Sequence, residues 1–555
     1  MRLPVATWLR GYDVANLRFD VVAGVTLAAF AVPESLAYAE MAGVPPATGL
    51  YAGVMGMIAY ALFGSSRQLA VGVTAALAVL TVAGLSGLSH GDPGRAAVLA
   101  AGATLVAGGA AILAWICRLG FLANLVSKSV LTGFSFGAGL TIVSTQLPKL
   151  CGTERGHGEF FERMAAFIQH AGETNLPTLA AGATAFVLLL IAKRFAPKLP
   201  GALLVVVAAL IAAPLLHFRE HGIHLLGAIP RGLPAPRFPS EALAAWKPIV
   251  ALGLSLFALS YVEGVSAARS LAARHGGHVD PNRELLAVGA GNLLSGLFRG
   301  LPIGGSLTRS AVNVEVGART PLSGAVGGLL LAVVVVLLAG VFASLPDTVL
   351  AAVILVAVGD LLSPRAFARL WTLSRREAIV AALTAVAVLV FGMLWGVIAG
   401  VVLSLLDLLE RAAFPHTAVL GRIPGTDAFA DRARHPENQE VAGVLVIRVD
   451  ASVVFANAHT VKEQVLDRIH RQPGPIRLVV LDLGASPLLD TSGAEAIVGL
   501  RATLEAEGMR LRIAGATAAT RDMLRAESPA AFGYLQPGLD VGQVVARWES
   551  QPTRH

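Results

Sequence analysis

From position 21 to about 409 the chain is a succession of apolar runs separated by short polar or glycine- and proline-containing breaks. At about 1.5 Å per residue, runs of this length predict helices that cross a hydrocarbon core about 30 Å thick. Run length and polar breaks predict about fourteen spans, near 21–40, 47–64, 70–87, 95–116, 126–147, 176–195, 199–217, 248–270, 283–298, 304–316, 321–343, 347–363, 377–394 and 395–411. Several are short or interrupted by glycine. After 440 the pattern becomes that of a small α/β domain, with β-rich runs at 444–449, 476–482 and 511–514. Thr491-Ser492-Gly493 is expected to cap a helix on which Ala494, Ile497, Val498 and Leu504 keep helical spacing. The predicted layout is a cytoplasmic N-terminus (1–18), a transmembrane region (19–412), a linker (413–440) and the α/β domain (441–553).

Polar residues inside the apolar runs carry the chemistry. Glu34 lies in the first run, directly after Pro33. A charge at the centre of a bilayer helix costs about 2.5–3.5 kcal/mol on the most lenient scales, so an acid there points to function. Pro33 removes a backbone donor at the same depth. Two further interruptions, Gly72-Val73-Thr74-Ala75 and Gly304-Gly305-Ser306-Leu307-Thr308-Arg309-Ser310, read as half-helices that start inside the membrane. The first backbone N–H groups of a helix are unpaired and its dipole places about half a positive charge there, which favours anions. Glu263 is a second intramembrane acid, with a coupling or a structural role. Glu34 precedes Thr74 by 40 residues and Glu263 precedes Thr308 by 45, so the two halves read as related units around a carrier site.

Composition agrees. The chain has 555 residues, 55% hydrophobic and 14% charged, with mean hydropathy +0.68, which is the composition of an integral membrane protein. The net charge of +7 does not indicate nucleic acid, because the basic residues are scattered between apolar runs. Lys193, Arg194, Lys198, Arg269, Arg274, Arg283, Arg365, Arg369, Arg375 and Arg376 fall in loops on one side. The positive-inside bias makes that side cytoplasmic, with both termini, in a multi-pass protein of the cell inner membrane. Arg2, Arg10 and Arg18 belong to a retained cytoplasmic start. Cys117 and Cys151 lack metal-ligand spacing, and neither a P-loop nor a dinucleotide fingerprint occurs, so no metal, cofactor or enzyme activity is expected. Transport would be driven by an ion gradient.

The segments Pro33-Glu34-Ser35-Leu36-Ala37-Tyr38-Ala39, 42–51 and Phe63-Gly64-Ser65-Ser66-Arg67 resemble the first-helix signature of the sulfate permease (SulP) family of anion transporters. Residues 441–553 resemble that family's cytoplasmic STAS domain, with Leu489-Asp490-Thr491-Ser492-Gly493 as its strand-to-helix motif. The resemblance implies two inverted seven-span repeats, core and gate domains, elevator-like movement, and often a homodimer. Its anion site would use Tyr38, Thr74, Ala75, Ser306, Thr308 and Arg309, with Glu34 as the proton-coupling group. Ser492 corresponds to the serine that is phosphorylated in soluble STAS relatives. Two departures stand out: Val73 replaces a proline frequent in the family, and Ala267 follows Glu263 where sodium-coupled bicarbonate members have threonine.

The expected function is proton-coupled symport of a small anion, sulfate by default, in contact with membrane lipid. The alternatives are bicarbonate or dicarboxylate transport, an uncoupled anion channel or exchanger, and a membrane-tethered signalling module whose STAS domain engages a cytoplasmic partner.

Overall fold

The computed structural model describes residues 6–9, 11–124, 127–154, 156, 158–196, 199–227, 229–275, 278–359 and 361–550; Arg2, Arg10, Lys198 and positions 551–553 lie outside them. Two compact units result, Met1–Ser404 and Leu405–His555.

The first unit begins with α1 (Leu17–Met41), α2 (Ala47–Phe63), the short strand β1 (Ala70–Gly72), α3 (Ala75–Ser89) and α4 (Pro93–Ile116). Then come α5 (Lys128–Cys151), the short α6 (Phe160–Gln169), α7 (Leu176–Phe195) and α8 (Gly201–Leu215). The same order recurs in α9 (Trp246–His275), α10 (Pro281–Leu297), β2 (Gly304–Ser306), α11 (Leu307–Glu315) and α12 (Leu322–Val333). It continues through α13 (Asp347–Val358), the short α14 (Pro364–Leu373) and α15 (Arg375–Ala413). Element for element, the second series repeats the first, as the spacing of polar interruptions predicted.

α15 is two arms joined at Gly392, whose φ of 81° only glycine adopts freely. Gly396 backs onto Val388 and Gly400 onto Thr384, so the arms form an antiparallel hairpin. Among the described residues the fourteen apolar runs fall mainly on helical structure, with 70–87 and 304–316 opening on β1 and β2. Seven helices among the described residues are long and apolar enough to cross a membrane, and four apolar helices are shorter. The basic residues expected in loops stand instead on helices: Lys193 and Arg194 close α7, and Arg365 and Arg369 lie on α14.

Polar caps set the helix starts. Thr74, Ser127, Asn175 and Ser306 each accept a hydrogen bond from the third backbone N–H of the helix that follows. α1–α4 pack with α9–α12, while α5, α7 and α8 pack with α13. Small residues let these helices approach closely. A Cβ on Gly49 would stand 2.0 Å from the Ser35 carbonyl oxygen.

The second unit holds a five-stranded sheet in the order β4-β3-β5-β6-β7, made of β3 (Thr417–Arg422), β4 (Phe429–Asp431), β5 (Val444–Val449), β6 (Leu478–Asp482) and β7 (Arg510–Ala514). β5, β6 and β7 are parallel; β3 joins β5 antiparallel, in register from Thr417↔Val449 to Leu420↔Val446. Both faces are covered. Leu445, Ile447, Val479, Leu481, Leu511 and Ile513 point to one core with α16 (Ala458–His470), α17 (Thr491–Ala506) and α18 (Ala518–Glu527). Val446, Leu478 and Val480 point to another with α20 (Val541–Glu549), which follows the four-residue α19 (Pro529–Phe532). This two-sided burial is why the strands read as continuous apolar runs.

Two expectations change here. The 413–440 stretch, read as a linker, supplies β3 and β4, and β3 is an interior strand of the sheet. The cap of α17 is Asp490, not the threonine–serine pair: one carboxylate oxygen accepts from Gly493 N at 2.8 Å and the other from Phe455 N at 2.7 Å. A carboxylate with two acceptor oxygens ties two segments at once, which leaves Thr491 and Ser492 in the first helical turn.

Gly49→Ala is expected to destabilise the protein, because a backbone oxygen does not yield as a side chain does and overpacking costs about 1–3 kcal/mol. Gly109→Ala, where nothing lies within 4 Å, is the matched control. Thermal challenge followed by size-exclusion chromatography should show early loss of the monodisperse peak for the first variant only.

Candidate functional site

β1 and β2 pair antiparallel, with Ala70 opposite Ser306 and Gly72 opposite Gly304. α3 and α11 leave this two-stranded ribbon in opposite directions, so both helix starts border it. The ribbon is anchored by side chains of the same body. The Ile303 carbonyl accepts from Ser260 Oγ and from Asn292 Nδ2, and its N–H donates to Asn292 Oδ1 at 3.0 Å. Ala70 N donates to Ser310 Oγ at 2.8 Å, and Asn313 Nδ2 donates to the Gln68 carbonyl at 3.0 Å. Gly305 lies so close to α9 that a Cβ there would be 2.7 Å from the Gly264 Cα.

Arg309 sits on the first turn of α11 with its side chain 1% exposed. Its Nη2 donates to the Val73 carbonyl at 2.6 Å, and Nη1 lies against Gly72, where a Cβ would approach to 2.7 Å. Nε stands 3.4 Å from Glu34 Oε2. That contact is an ion pair without hydrogen-bond geometry: Nε, Nη1 and Glu34 Oε2 are all buried and make no hydrogen bond. A buried guanidinium with two unused donors is an open demand for an acceptor.

On the other helix start, Thr74 Oγ1 accepts from Leu77 N at 3.3 Å and donates to Glu263 Oε2 at 3.0 Å. Glu263 meets no cation among the described residues; its acid is held by a neutral hydroxyl. Ser306 Oγ accepts from Arg309 N at 3.4 Å and lies 3.2 Å from Thr308 Oγ1. With these caps in place, the earliest backbone N–H groups of α3 and α11 stay available to an anion.

The structure thus joins Glu34, Arg309 and Ser306 in one set of contacts and Thr74 and Glu263 in another, and the Val73 carbonyl, next to Thr74, links the two through Arg309. Ala75 is the buried first residue of α3, Thr308 is exposed beside Ser306, and Tyr38 is buried one turn after Glu34 on α1. Ser492 belongs to the second unit and is half-buried on α17. Sequence reasoning missed Ser260 and Asn292, which hold β2, and Gly72 as the neighbour of the guanidinium. A lone Asn292 within the apolar run 283–298 was the available signal. It also missed other buried charges. Glu284 accepts from Tyr60 Oη at 2.9 Å and from Ser65 Oγ at 2.6 Å. Asp20 accepts from the Arg319 and Thr320 backbone N–H groups at 2.8 and 3.0 Å.

Residues 17–384 match the family model described as the sulfate permease family, and 435–528 match that of the STAS domain. A probable sulfate transporter of Mycobacterium tuberculosis is 37% identical over 525 residues, 95% of this chain and 94% of that one. Among solved structures, the murine Solute Carrier 26 family member A9 anion transporter in the inward-facing state superposes with a TM-score of 0.88 at 21% identity, covering 99% of this chain and 94% of the other. The transmembrane domain of the cyanobacterial bicarbonate transporter BicA gives 0.61 at 25% identity, over 70% of this chain and 98% of that domain. The repeated helix–strand–half-helix order, the paired helix starts and the C-terminal α/β unit therefore have a common explanation: the chain belongs to the sulfate permease family of membrane transporters and carries a C-terminal STAS domain.

Proposed function

We propose that this chain is a proton-coupled symporter of sulfate, holding the anion between the starts of α3 and α11 against Arg309. The observation that carries the proposal is the buried guanidinium with two unused donors beside two helix N-termini. About half a positive charge from each helix start, together with the full charge of Arg309, comes to roughly two, the charge of sulfate. Ionised Glu34 subtracts one. A proton on Glu34 removes that competitor for Arg309 and restores the balance for a dianion, so anion and proton load together. Tyr38, Ala75, Ser306 and Thr308 line the site, and Thr74 orients α3 through Glu263, the second candidate for a coupling acid.

Every one of these residues is carried by the α1–α4 and α9–α12 body. A site built wholly on one body can move against α5, α7, α8 and α13 without being dismantled, which supports an elevator-like mechanism. Moving one charge against 100 mV costs about 2.3 kcal/mol, so co-transported protons set the direction of anion movement. The reading includes an inner-membrane location with both termini cytoplasmic, a homodimer, and a STAS domain open to regulation at Ser492. Phosphate at the first turn of α17 would add strong negative charge where a partner could read it. Bicarbonate is the second reading, favoured by the likeness to BicA; with Glu34 ionised the site's charge suits a monoanion.

Four measurements test this. Sulfate binding to the purified protein is expected to weaken as pH rises, because deprotonated Glu34 then occupies Arg309. Glu34→Gln should bind with no pH dependence, and proteoliposomes carrying it should lose stimulation by an inward proton gradient; unchanged gradient-driven uptake would remove Glu34 from coupling. Arg309→Lys keeps the charge and gives up one charged donor worth about 1.5–3 kcal/mol, so affinity should fall about 10- to 100-fold by equilibrium dialysis. A chain ended after Ala413, which removes β3 and β4 with the rest of their sheet, should still bind sulfate, whereas a signalling module with an inert anchor would not.

A further inference from the structure

α14 is a ten-residue helix with opposed faces, and it follows α13 as α6 follows α5. Phe367, Leu370 and Trp371 lie on one side, with Arg365 and Arg369 one turn apart on the other. Leu370 is buried with Ala378 and Ala381 of α15, and Phe367 meets Phe136 of α5 edge-on at 5.2 Å between ring centroids. The helix is thereby pinned across the start of α15, and a wedge of about 370 Å³ stays open between them. Its walls are Phe367, Trp371, Ile379, Leu383 and Val386. Trp371 and Val386 are 56% and 55% exposed.

The rim of this wedge is basic. Arg375 lies 5.9 Å from the Trp371 ring, with the exposed Arg376 next to it in the chain, while Arg365 and Arg369 are exposed on the other side of α14. α14 carries no acidic residue. Glu377 is turned toward α5, where it accepts from Ser129 Oγ at 3.4 Å. At the opposite end of the first arm, Gly392 lies beside Glu159, the cap of α6. The two equivalent short helices thus mark the two ends of this arm, one with arginines and one with a carboxylate.

We propose that the wedge between α14 and α15 is a binding site for an anionic phospholipid, with an acyl chain between Trp371 and Leu383 and the phosphate held by Arg375. A lipid matches both halves of the site: the wedge needs an apolar chain and the rim needs a fixed negative charge. An aromatic ring at the boundary between them is the usual interfacial anchor. The site is separate from Arg309 and does not depend on which anion is carried.

The test uses the full-length protein in phosphatidylcholine nanodiscs, as wild type and as Trp371→Phe, so that the difference in fluorescence reports Trp371. Phosphatidylglycerol brominated on its acyl chain is expected to quench that signal at a much lower mole fraction than brominated phosphatidylcholine. In Arg375→Gln the preference should shrink by about fivefold. Equal quenching by the two lipids overturns the proposal, as does a preference that survives the substitution. Cross-linking of Ala368→Cys between two copies in one disc, with loss of quenching, would assign the face to a second copy and also overturn it. Unchanged elution volume separates these outcomes from misfolding; if the variant does not fold, the comparison of the two lipids on the wild type still decides.

Discussion

The side chain of Arg309 is almost completely withdrawn from solvent inside a body built mostly of alanine, valine, leucine and glycine, and its charge has to be met locally. One donor goes to the Val73 carbonyl, which the break before α3 leaves available. The remaining compensation comes from Glu34, reached because α1 passes the ribbon at that point. Gly72 has to be glycine-sized for the guanidinium to lie against the backbone. Ile303 has to be pinned by Ser260 and Asn292 so that β2 holds still and delivers α11 at this spot. Much of the polar structure of the site-bearing body is thus arranged around keeping one cation buried and only partly satisfied.

The repeat explains how such an arrangement is assembled. Each half contributes a long helix with an acid, a short strand and a half-helix, and the strands pair antiparallel because the halves run in opposite directions. The pairing then crosses acids and hydroxyls between halves. Glu34 of the first half meets Arg309 of the second, while Glu263 of the second meets Thr74 of the first. The two acids are not equivalent. One faces a cation; the other faces a hydroxyl that is already engaged as a helix cap.

This crossing marks the limit of what the sequence discloses. Glu34 and Arg309 were visible because a charge in an apolar run stands out, and the half-helices were visible because glycine and hydroxyl residues break hydrophobic runs. The link between Thr74 and Glu263, 189 residues apart, leaves no local trace. The anchoring of Ile303 by Ser260 and Asn292 is equally silent, since isolated polar residues in helices normally satisfy themselves on their own helix. In the C-terminal unit the central strands were legible from their two-sided apolar pattern. β3 and β4 were not, because a six-residue and a three-residue strand among charges read as loop. α14 was not legible for a related reason: ten residues that include Arg365 and Arg369, between the runs 347–363 and 377–394, read as a loop.

In the proposed symport, the imperfect contact between Glu34 and Arg309 would have a physical use. A bidentate arginine–carboxylate pair with every donor satisfied would be hard to open in a water-poor interior, and an anion would gain nothing by arriving. At 3.4 Å without hydrogen-bond geometry, the pair gives Arg309 enough negative charge to remain buried while leaving two donors unused. An oxyanion that supplies those acceptors improves on Glu34 by the worth of the hydrogen bonds it makes, about 1.5–3 kcal/mol each. The carboxylate it displaces is then a buried charge without a partner, and the least costly remedy is to take up a proton. Under that proposal, anion binding and protonation of Glu34 would favour each other by the same free energy, whichever comes first, because linkage is reciprocal. Coupling of this kind needs no relay of moving parts, only an ion pair weak enough to be replaced and a body rigid enough to keep its members in place.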